Sequence, residues 1–559
     1  MAAQPRTSLF HFGYRRSPDQ DRRDPARHPL VVVGAGPVGL SAAIDLAQRG
    51  RDVVLLDDAD RIGEGSRAIC FSKRSLEYWD RLGVGQRMVE KGIVWQVGKV
   101  FLGEELVYRF DLLPEGGHKM PAFINLQQYY AERFLCERVA ELPRIDLRWR
   151  NKVVGLTAAN DHVRLTIDTP EGPYSLAAEY VIACDGARSS LRAIVGAEFI
   201  GETFEDQFLI ADVRMNAEFP TERWFWFDPP FHPNQSVLLH HQPDDVWRID
   251  FQLGWDADPV AERQPERVIP RVQALLGKDA SFELEWVSIY TFACLRMASF
   301  RDRRVLFAGD AAHGVSPFGA RGANSGVQDA DNLAWKLRLV LEGSAPDRLL
   351  DTYASEREFA ADENILNSTR STDFITPKSE VSRTFRDAAL QLARDCTFAR
   401  RLVNSGRLST PSTLADSPLN TVDEDAFTGL MVPGEPCTDA PVRVDGRDAW
   451  LLEGIGDTFT LILFGSGGEL LPGTLGTLRA LGAGRIPVRT VIVEPRGTKS
   501  RSLEGLGVVE EDGLVSQRFD ARPGTAYLLR PDQHVCARWR AFDPAKVGAA
   551  LARATCNDA

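Results

Sequence analysis

The sequence predicts an α/β protein of three parts: a doubly wound nucleotide-binding domain, a mixed-sheet domain inserted into it, and a further α/β domain at the C-terminal end. Three observations carry this. An apolar strand at Val31–Val33 runs into Gly34-x-Gly36-x-x-Gly39, a helix through Leu40–Gln48 and a second strand, Val53–Leu56. From about 201 to 295 the pattern changes to aromatic-rich alternating runs, Arg223–Phe227 and Val246–Gln252, cut by Pro and Asp turns, which is sheet patterning. After a Pro-, Asp- and Thr-rich linker at 411–434, strands at Thr458–Phe464, Ile486–Val493 and Gly524–Leu529 surround a helix at Thr474–Leu481.

The first element is the Rossmann-type dinucleotide fingerprint in its proper context. Gly34 permits the tight turn, Gly36 lets the backbone approach a pyrophosphate, and Gly39 lets the helix pack on the strand. Pro37 and Val38 open the helix, whose free N–H groups and dipole favour phosphate. Asp57 ends the second strand, where a carboxylate accepts a ribose hydroxyl. Further along, Gly63–Arg67 reads as a loop, Ser72–Leu82 and Asn125–Leu142 as helices, and Val153–Leu156, Val163–Asp168 and Tyr180–Cys184 as strands. Val305–Ala308 is another apolar strand, ending in Gly309-Asp310. Ala323–Leu341 and the stretch from Leu349 to about Arg401 are helical. The nucleotide domain is thus expected over 29–200 and 296–410, the inserted domain over 201–295, and the last domain over 435–559. Residues 1–28 are an Arg-rich arm that also holds Asp19, Asp21 and Asp24, so the arm is expected to lie on the protein or on a partner subunit.

Composition narrows the function. The 559 residues carry 66 Lys+Arg against 78 Asp+Glu, a net charge of −12, which argues against nucleic-acid binding. No apolar run is long enough to span a bilayer. The eight cysteines have no CxxC and no metal-ligand spacing, so no metal is expected and the thiols read as idle in a reducing compartment, the cytoplasm.

Three motifs in order, the glycine fingerprint, Cys184-Asp-Gly-Ala-Arg-Ser-Ser-Leu-Arg192 and Gly309-Asp310, resemble the class A FAD-dependent aromatic hydroxylases, the group of phenol hydroxylase and 3-(3-hydroxyphenyl)propionate hydroxylase. The resemblance covers residues 28–400 well and the remainder more loosely. It implies FAD as cofactor, NADH or NADPH as co-substrate, O2, and hydroxylation of a phenolic ring through a flavin C4a-hydroperoxide. It also implies a thioredoxin-like C-terminal domain and a homodimer. By the same resemblance, Arg67 contacts FAD, Gln128 (with Gln127 adjacent) lies near the pyrophosphate, Val154 offers backbone to the adenine, and Asp310 binds the ribityl chain. Asp185 belongs to the motif that lines the approach of the nicotinamide nucleotide, or braces its own turn by local hydrogen bonds.

The loop Pro317-Phe-Gly-Ala-Arg-Gly-Ala-Asn324 follows, with the N–H groups of Gly322, Ala323 and Asn324 expected to face the flavin N1–C2=O edge. The usual pattern of the group is Gly-Gly-Gln-Gly-x-Asn. Here Ala320 and Arg321 replace the second Gly and the Gln, and the Arg321 side chain is open between an acidic substrate and the surface.

In Trp247-Arg-Ile-Asp-Phe-Gln252 the alternation puts Arg248, Asp250 and Gln252 on one face and Trp247, Ile249 and Phe251 on the other. The resemblance turns Arg248 toward the flavin and sets Asp250 where the group has a substrate-facing Tyr. His240, His241 and Tyr290 are candidates for proton abstraction, the histidines because imidazole titrates near neutrality. Pro317, opening the flavin loop, completes the expected reaction site. The C-terminal domain lacks the Cys-x-x-Cys a working thioredoxin places after its strand, and is expected to be a scaffold or dimer contact. Two rival functions remain: epoxidation or ring oxidation of a polyketide-like aromatic, and a non-catalytic flavin-binding partner protein.

Overall fold

The computed structural model describes residues 11–63, 68–215, 219–403, 408–467, 472–498, 506–510 and 512–558. The nucleotide domain is organised by an eight-stranded sheet whose parallel core runs Val305–Phe307, Tyr174–Ala183, Ala26–Val33, Val53–Leu56 and Ile145–Arg148. These strands read as continuous Val/Ile/Leu runs because both faces are covered. Leu30, Val31, Leu55, Val181, Ile182 and Leu306 are all fully buried. Lys152–Ala158 and Val163–Asp168 add an antiparallel flap to the long strand Tyr174–Ala183. The helices Pro37–Gln48 and Gly322–Leu341 pack together against this sheet.

A seven-stranded sheet lies over that domain, in the order Phe282–Tyr290, Gln207–Met215, Val246–Leu253, Ser236–Gln242, Arg223–Phe227, Val97–Leu102, Glu105–Asp111. The last two strands come from before residue 200, so the sheet reaches beyond the 201–295 expected of it. Val97–Leu102 joins as a parallel neighbour of Arg223–Phe227. The alternation of the sequence sets its two faces. Trp226, Leu239, Trp247, Ile249 and Phe251 face outward under Val268 and Val272 of the helix Pro265–Leu276. Phe208, Phe227 and Leu238 face inward, against Phe318 of the loop that begins at Pro317.

Several elements differ from the sequence reading. Phe123–Asn125 is a strand, between Cys70–Ser72 and Ile93–Trp95, and the helix begins only at Gln128. The stretch after Leu349 is three helices, Leu349–Ile375, Glu380–Ala393 and Thr397–Val403; the first break falls at Thr376-Pro377, since proline disfavours helix in the residue before it. The 411–434 stretch is a packed strap, with Leu414 and Leu419 buried and Asp423 paired to Arg538. Arm residues from 11 onward fold back on their own nucleotide domain: Phe12 stacks on Trp149 at 4.5 Å and Asp19 pairs with Arg148.

The C-terminal domain has a central strand, Phe459–Phe464, with a parallel neighbour Val488–Glu494 and the antiparallel strands Ala526–Leu529 and Val535–Trp539. The helices Pro472–Gly482 and Pro544–Ala554 complete a thioredoxin-like order. Where that fold carries its redox pair, this chain has Gly465-Ser-Gly467. Cys437 and Cys536 are buried elsewhere, and burial pushes the Cys536 thiol up to about 12. Among the described residues no helix is long and apolar enough to cross a membrane.

Candidate active site

The glycine turn is built for a close-lying ligand. Gly34 sits at φ +106°, and a Cβ there would collide with the Cys184 carbonyl. A Cβ on Gly39 would collide with the Gly34 carbonyl. At Gly36, by contrast, a Cβ would meet nothing within 4 Å, so space is open at the position that must admit phosphate. Pro37 and Val38 begin the helix there. Asp57 accepts from the Ala35 N–H at 2.6 Å and the Ala59 N–H at 2.9 Å, tying the second strand to the turn, and burial raises its pKa.

Arg67 lies outside the described residues. Gln128 accepts from Ala68 N–H at 3.1 Å and donates to Glu132 at 2.7 Å, which in turn accepts from Gly63 N–H, so the helix start ties Ala68 to Gly63. Gln127 points elsewhere, donating to the Pro243 carbonyl at 3.0 Å. Val154 is exposed on the flap strand. Asp185 caps the short helix Ser190–Ile194 through Oδ2, leaving Oδ1 buried without a hydrogen-bond partner. Asp310 is exposed on the turn Gly309–Ala311. That turn is pinned by a residue the sequence reading missed. Asp329, fully buried, accepts from Gly309 N–H (2.9 Å), His313 Nε2 (2.7 Å) and Arg357 Nε (2.6 Å). His313 is thus a brace for the turn.

The loop from Pro317 reaches the helix Gly322–Leu341 through Ala320, which adopts φ +51°. That is a left-handed conformation costly for a residue with a Cβ, and it falls where the hydroxylase pattern has glycine. Ser325 N–H makes the first bond back along the helix, to Arg321 C=O at 2.7 Å. The N–H groups of Gly322, Ala323 and Asn324 precede it, as at any helix start. The Asn324 side chain stitches the loop to the Cys70–Ser72 strand, accepting from Ser72 N–H and donating to the Cys70 and Ala320 carbonyls. Arg321 is not on the surface: it is buried and donates to Asn364 of the helix Leu349–Ile375 at 3.1 Å.

Facing this loop, the inward side of the seven-stranded sheet carries a polar row. Arg248 pairs across the strands with His240 on one side and Asp212 on the other. The register that sets Trp224 opposite Leu239 places Arg223 beside His240. All four side chains are buried. The Arg248 guanidinium meets Asp212 with Nε at 2.8 Å and Nη2 at 3.0 Å. Arg223 donates through Nη2 to the Phe318 carbonyl at 3.3 Å, in direct contact with the Pro317–Asn324 loop. Cys70 lies 3.9 Å from His240 Nδ1, its thiol pushed up to about 11 by burial.

The electrostatics reassign the proton-transfer candidates. Burial, and then Arg223 and Arg248, hold the His240 pKa well below its ordinary value, so it is neutral across the useful pH range and not the near-neutral base expected. His241 faces the outer side, stacked on Trp247 at 4.2 Å. Burial, followed by the charge of Asp250, raises the Tyr290 phenol, which stays protonated. Asp250, in the adjacent row opposite Leu238 and Ile210, is the carboxyl whose titration moves toward neutrality: burial lifts it to about 6 despite Arg248 and Arg223. Its Oδ1 is buried without a hydrogen-bond partner, and its Oδ2 lies 3.9 Å from His240 Nε2. Arg223 and Asp212 were missed by sequence reasoning. The signal lay in the alternation of Arg223–Phe227 and Gln207–Met215, which turns both charges inward.

Residues 27–368 match the family model described as "FAD binding domain". The chain belongs to that family. A protein of Rhodococcus jostii named "Probable NADH-specific resorcinol 4-hydroxylase" is 29% identical over 541 residues, covering 90% of this chain and 91% of its own. The 6-methylpretetramide 4-monooxygenase of Streptomyces rimosus is 30% identical over 527 residues, covering 91% and 90%. The fold matches the flavin-dependent monooxygenase PieE, solved with FAD and substrate, at a TM-score of 0.78 and 22% identity, covering 96% of this chain and 100% of that one. The protein is therefore an FAD-dependent monooxygenase of the aromatic-hydroxylase kind. The open space at Gly36, the tied carboxylate of Asp57 and the helix-start N–H groups of Gly322–Asn324 suit FAD.

Proposed function

We propose that this protein hydroxylates a phenolic ring bound between the flavin loop and the polar row of the seven-stranded sheet. The observation that carries the reading is the contact of Arg223 with the Phe318 carbonyl, which brings the buried charges of the sheet onto the loop that precedes the flavin-facing helix. The name of the Rhodococcus relative, a resorcinol 4-hydroxylase, points to a substrate of the same class. When bound, FAD supplies the electron transfer and the oxygen chemistry.

The chain's own residues bind, orient and shield. Phe208, Phe292 and Phe318 form an aromatic wall, with centroids 4.7 to 6.0 Å apart, that excludes water from one side of the row. Asp250 Oδ1 accepts the hydroxyl proton of the ring, which makes the ring more electron-rich. His240, kept neutral, sits beside Asp250 without competing for that proton. Arg248, held by Asp212, fixes the positive charge that keeps Asp250 ionised.

The test is purification with bound FAD, followed by NADH and NADPH oxidation with and without a panel of phenols and mass analysis of the product. Oxidation stimulated by a phenol, with one oxygen atom gained by the ring, is expected. Stimulation by no phenol, or a product without added oxygen, would sink the reading.

A further inference from the structure

The inner face of the sheet holds two charged groups of opposite sign, each with an atom left unsatisfied. Arg223 is 7% exposed; its Nη2 reaches the Phe318 carbonyl, while Nη1 is buried without a hydrogen-bond partner. Asp250 likewise buries Oδ1 with no partner. Leaving a guanidinium N–H and a carboxylate oxygen desolvated and unpaired is costly, and native interiors avoid it unless something else completes the pair. The remaining charges of the row do not do so. Arg248 and Asp212 are engaged with each other, and His240 is neutral between its two arginines. The atoms of this face left without a partner are therefore one donor and one acceptor, set on neighbouring rows.

We propose that Arg223 Nη1 and Asp250 Oδ1 form a two-point anchor for a ring bearing two oxygen substituents, a hydroxyl donated to Asp250 and a second oxygen accepted by Arg223. This deepens the phenol reading above and rests on it for the identity of the site. The second oxygen is a ring hydroxyl or a carboxylate, since both offer a lone pair to a guanidinium. A ring with a single hydroxyl satisfies only half of the anchor. The aromatic wall of Phe208, Phe292 and Phe318 suits the flat body of such a ligand.

The experiment is an equilibrium titration of the FAD-loaded protein, without NAD(P)H, following the change in the flavin visible spectrum. The probes are phenol, the three benzenediols, the three hydroxybenzoates and the monomethyl ether of each benzenediol. At least one benzenediol or hydroxybenzoate is expected to bind tenfold or more tightly than phenol. A diol as the best ligand assigns the second oxygen to a hydroxyl; a hydroxybenzoate assigns it to a carboxylate. In Arg223→Met that advantage over phenol should vanish, while Arg223→Lys should keep part of it. In Asp250→Leu the preference for a diol over its methyl ether should vanish. Flavin absorbance and melting temperature establish that each variant is folded and loaded, and Arg223→Lys serves if Arg223→Met is not. Equal binding of phenol and every doubly oxygenated ring by the wild type would overturn the anchor, as would a preference that survives Arg223→Met. Selective binding of a doubly oxygenated ring with no oxygen transferred to it would overturn the hydroxylase reading instead, and leave the anchor standing.

Discussion

Asp212 lies directly across the strand pair from Arg248 and receives its guanidinium on both oxygens, Nε to Oδ1 at 2.8 Å and Nη2 to Oδ2 at 3.0 Å. The pair is buried on both sides, so it is a fixed dipole of the sheet and not a mobile charge. Burial opposes ionisation of Arg248, yet Asp212 more than restores it and raises the guanidinium pKa.

Removing one partner should therefore be expensive. Asp212→Asn is expected to destabilise the protein by about 3–5 kcal/mol, the usual cost of leaving a buried charge uncompensated. Arg248→Lys should retain FAD but weaken the stimulation of flavin reduction by phenol, because an ammonium cannot reproduce the two-pronged contact. Urea unfolding checks the first and stopped-flow reduction the second. Identical phenol stimulation in Arg248→Lys and wild type would remove Arg248 from the coupling.

The second prediction is a pH dependence. Asp250 titrates at about 6, raised from 3.8 chiefly by burial, with Arg248 and Arg223 pulling it down and Asp212 pushing it up. A carboxylate accepts a proton only when ionised, so the phenol-stimulated rate should be full above that value and fall as pH drops through about 6. Neither His240 nor Tyr290 supplies a second limb there: His240 titrates well below its usual range and Tyr290 above its own. Rates between about pH 5 and pH 8 test this. Asp250→Asn should be slow and flat across the range; an unchanged acid limb in that variant would assign the titration elsewhere.

A third prediction separates cofactor binding from stability at one turn. Asp310 is exposed, so Asp310→Ala should lose most bound FAD while melting near the wild-type temperature. Asp329 holds Gly309, His313 and Arg357 from a fully buried position, so Asp329→Asn should lose both FAD and stability. Flavin absorbance and thermal unfolding of the two variants distinguish them. Full flavin occupancy in Asp310→Ala would show that the aspartate does not hold the cofactor.

How far these sites were legible depended on whether the information was local. The glycine turn was plain because Gly34 and Gly39 are forced by backbone contacts with Cys184 and with each other, and such constraints write themselves into sequence. The inward face of Val246–Leu253 was legible for the same reason, through a two-residue period. Asp212, Arg223 and Asp329 were not, because their roles depend on partners at Arg248, Phe318 and Gly309 that only strand register and helix docking bring near. The strands Val97–Leu102 and Glu105–Asp111 were missed on similar grounds: their sheet partner lies more than a hundred residues downstream. His240 was legible as a residue but not as a charge state. Its neighbours on the row are two arginines, and periodicity within one strand cannot show what stands on the next.

The last prediction concerns the thioredoxin-like domain, whose tie to the nucleotide domain is a buried ionic cluster. Arg530 donates to Glu356 through Nη1 at 2.6 Å and Nη2 at 3.1 Å, and also pairs with Asp532. Lys336 of the helix Gly322–Leu341 donates to the same Glu356 at 2.7 Å. Burial alone raises a carboxyl, but here Arg530 and Lys336 overcome it and hold Glu356 well below the usual carboxylate range. The cluster thus links the domain lacking redox cysteines to the C-terminal half of the helix Gly322–Leu341, a structural reason to retain it. Arg530→Met leaves Glu356 with the charge of Lys336 and the neutral donors Asn332 and Ser417, and Asp532 without its guanidinium. It should cost about 3–5 kcal/mol, and the partner change Glu356→Gln should cost less in the Arg530→Met background than alone. A double-mutant cycle by chemical denaturation, with flavin release and tryptophan fluorescence followed together, measures both. Additive costs would show that Arg530 and Glu356 are not coupled, and that the domain is held by its apolar contacts instead.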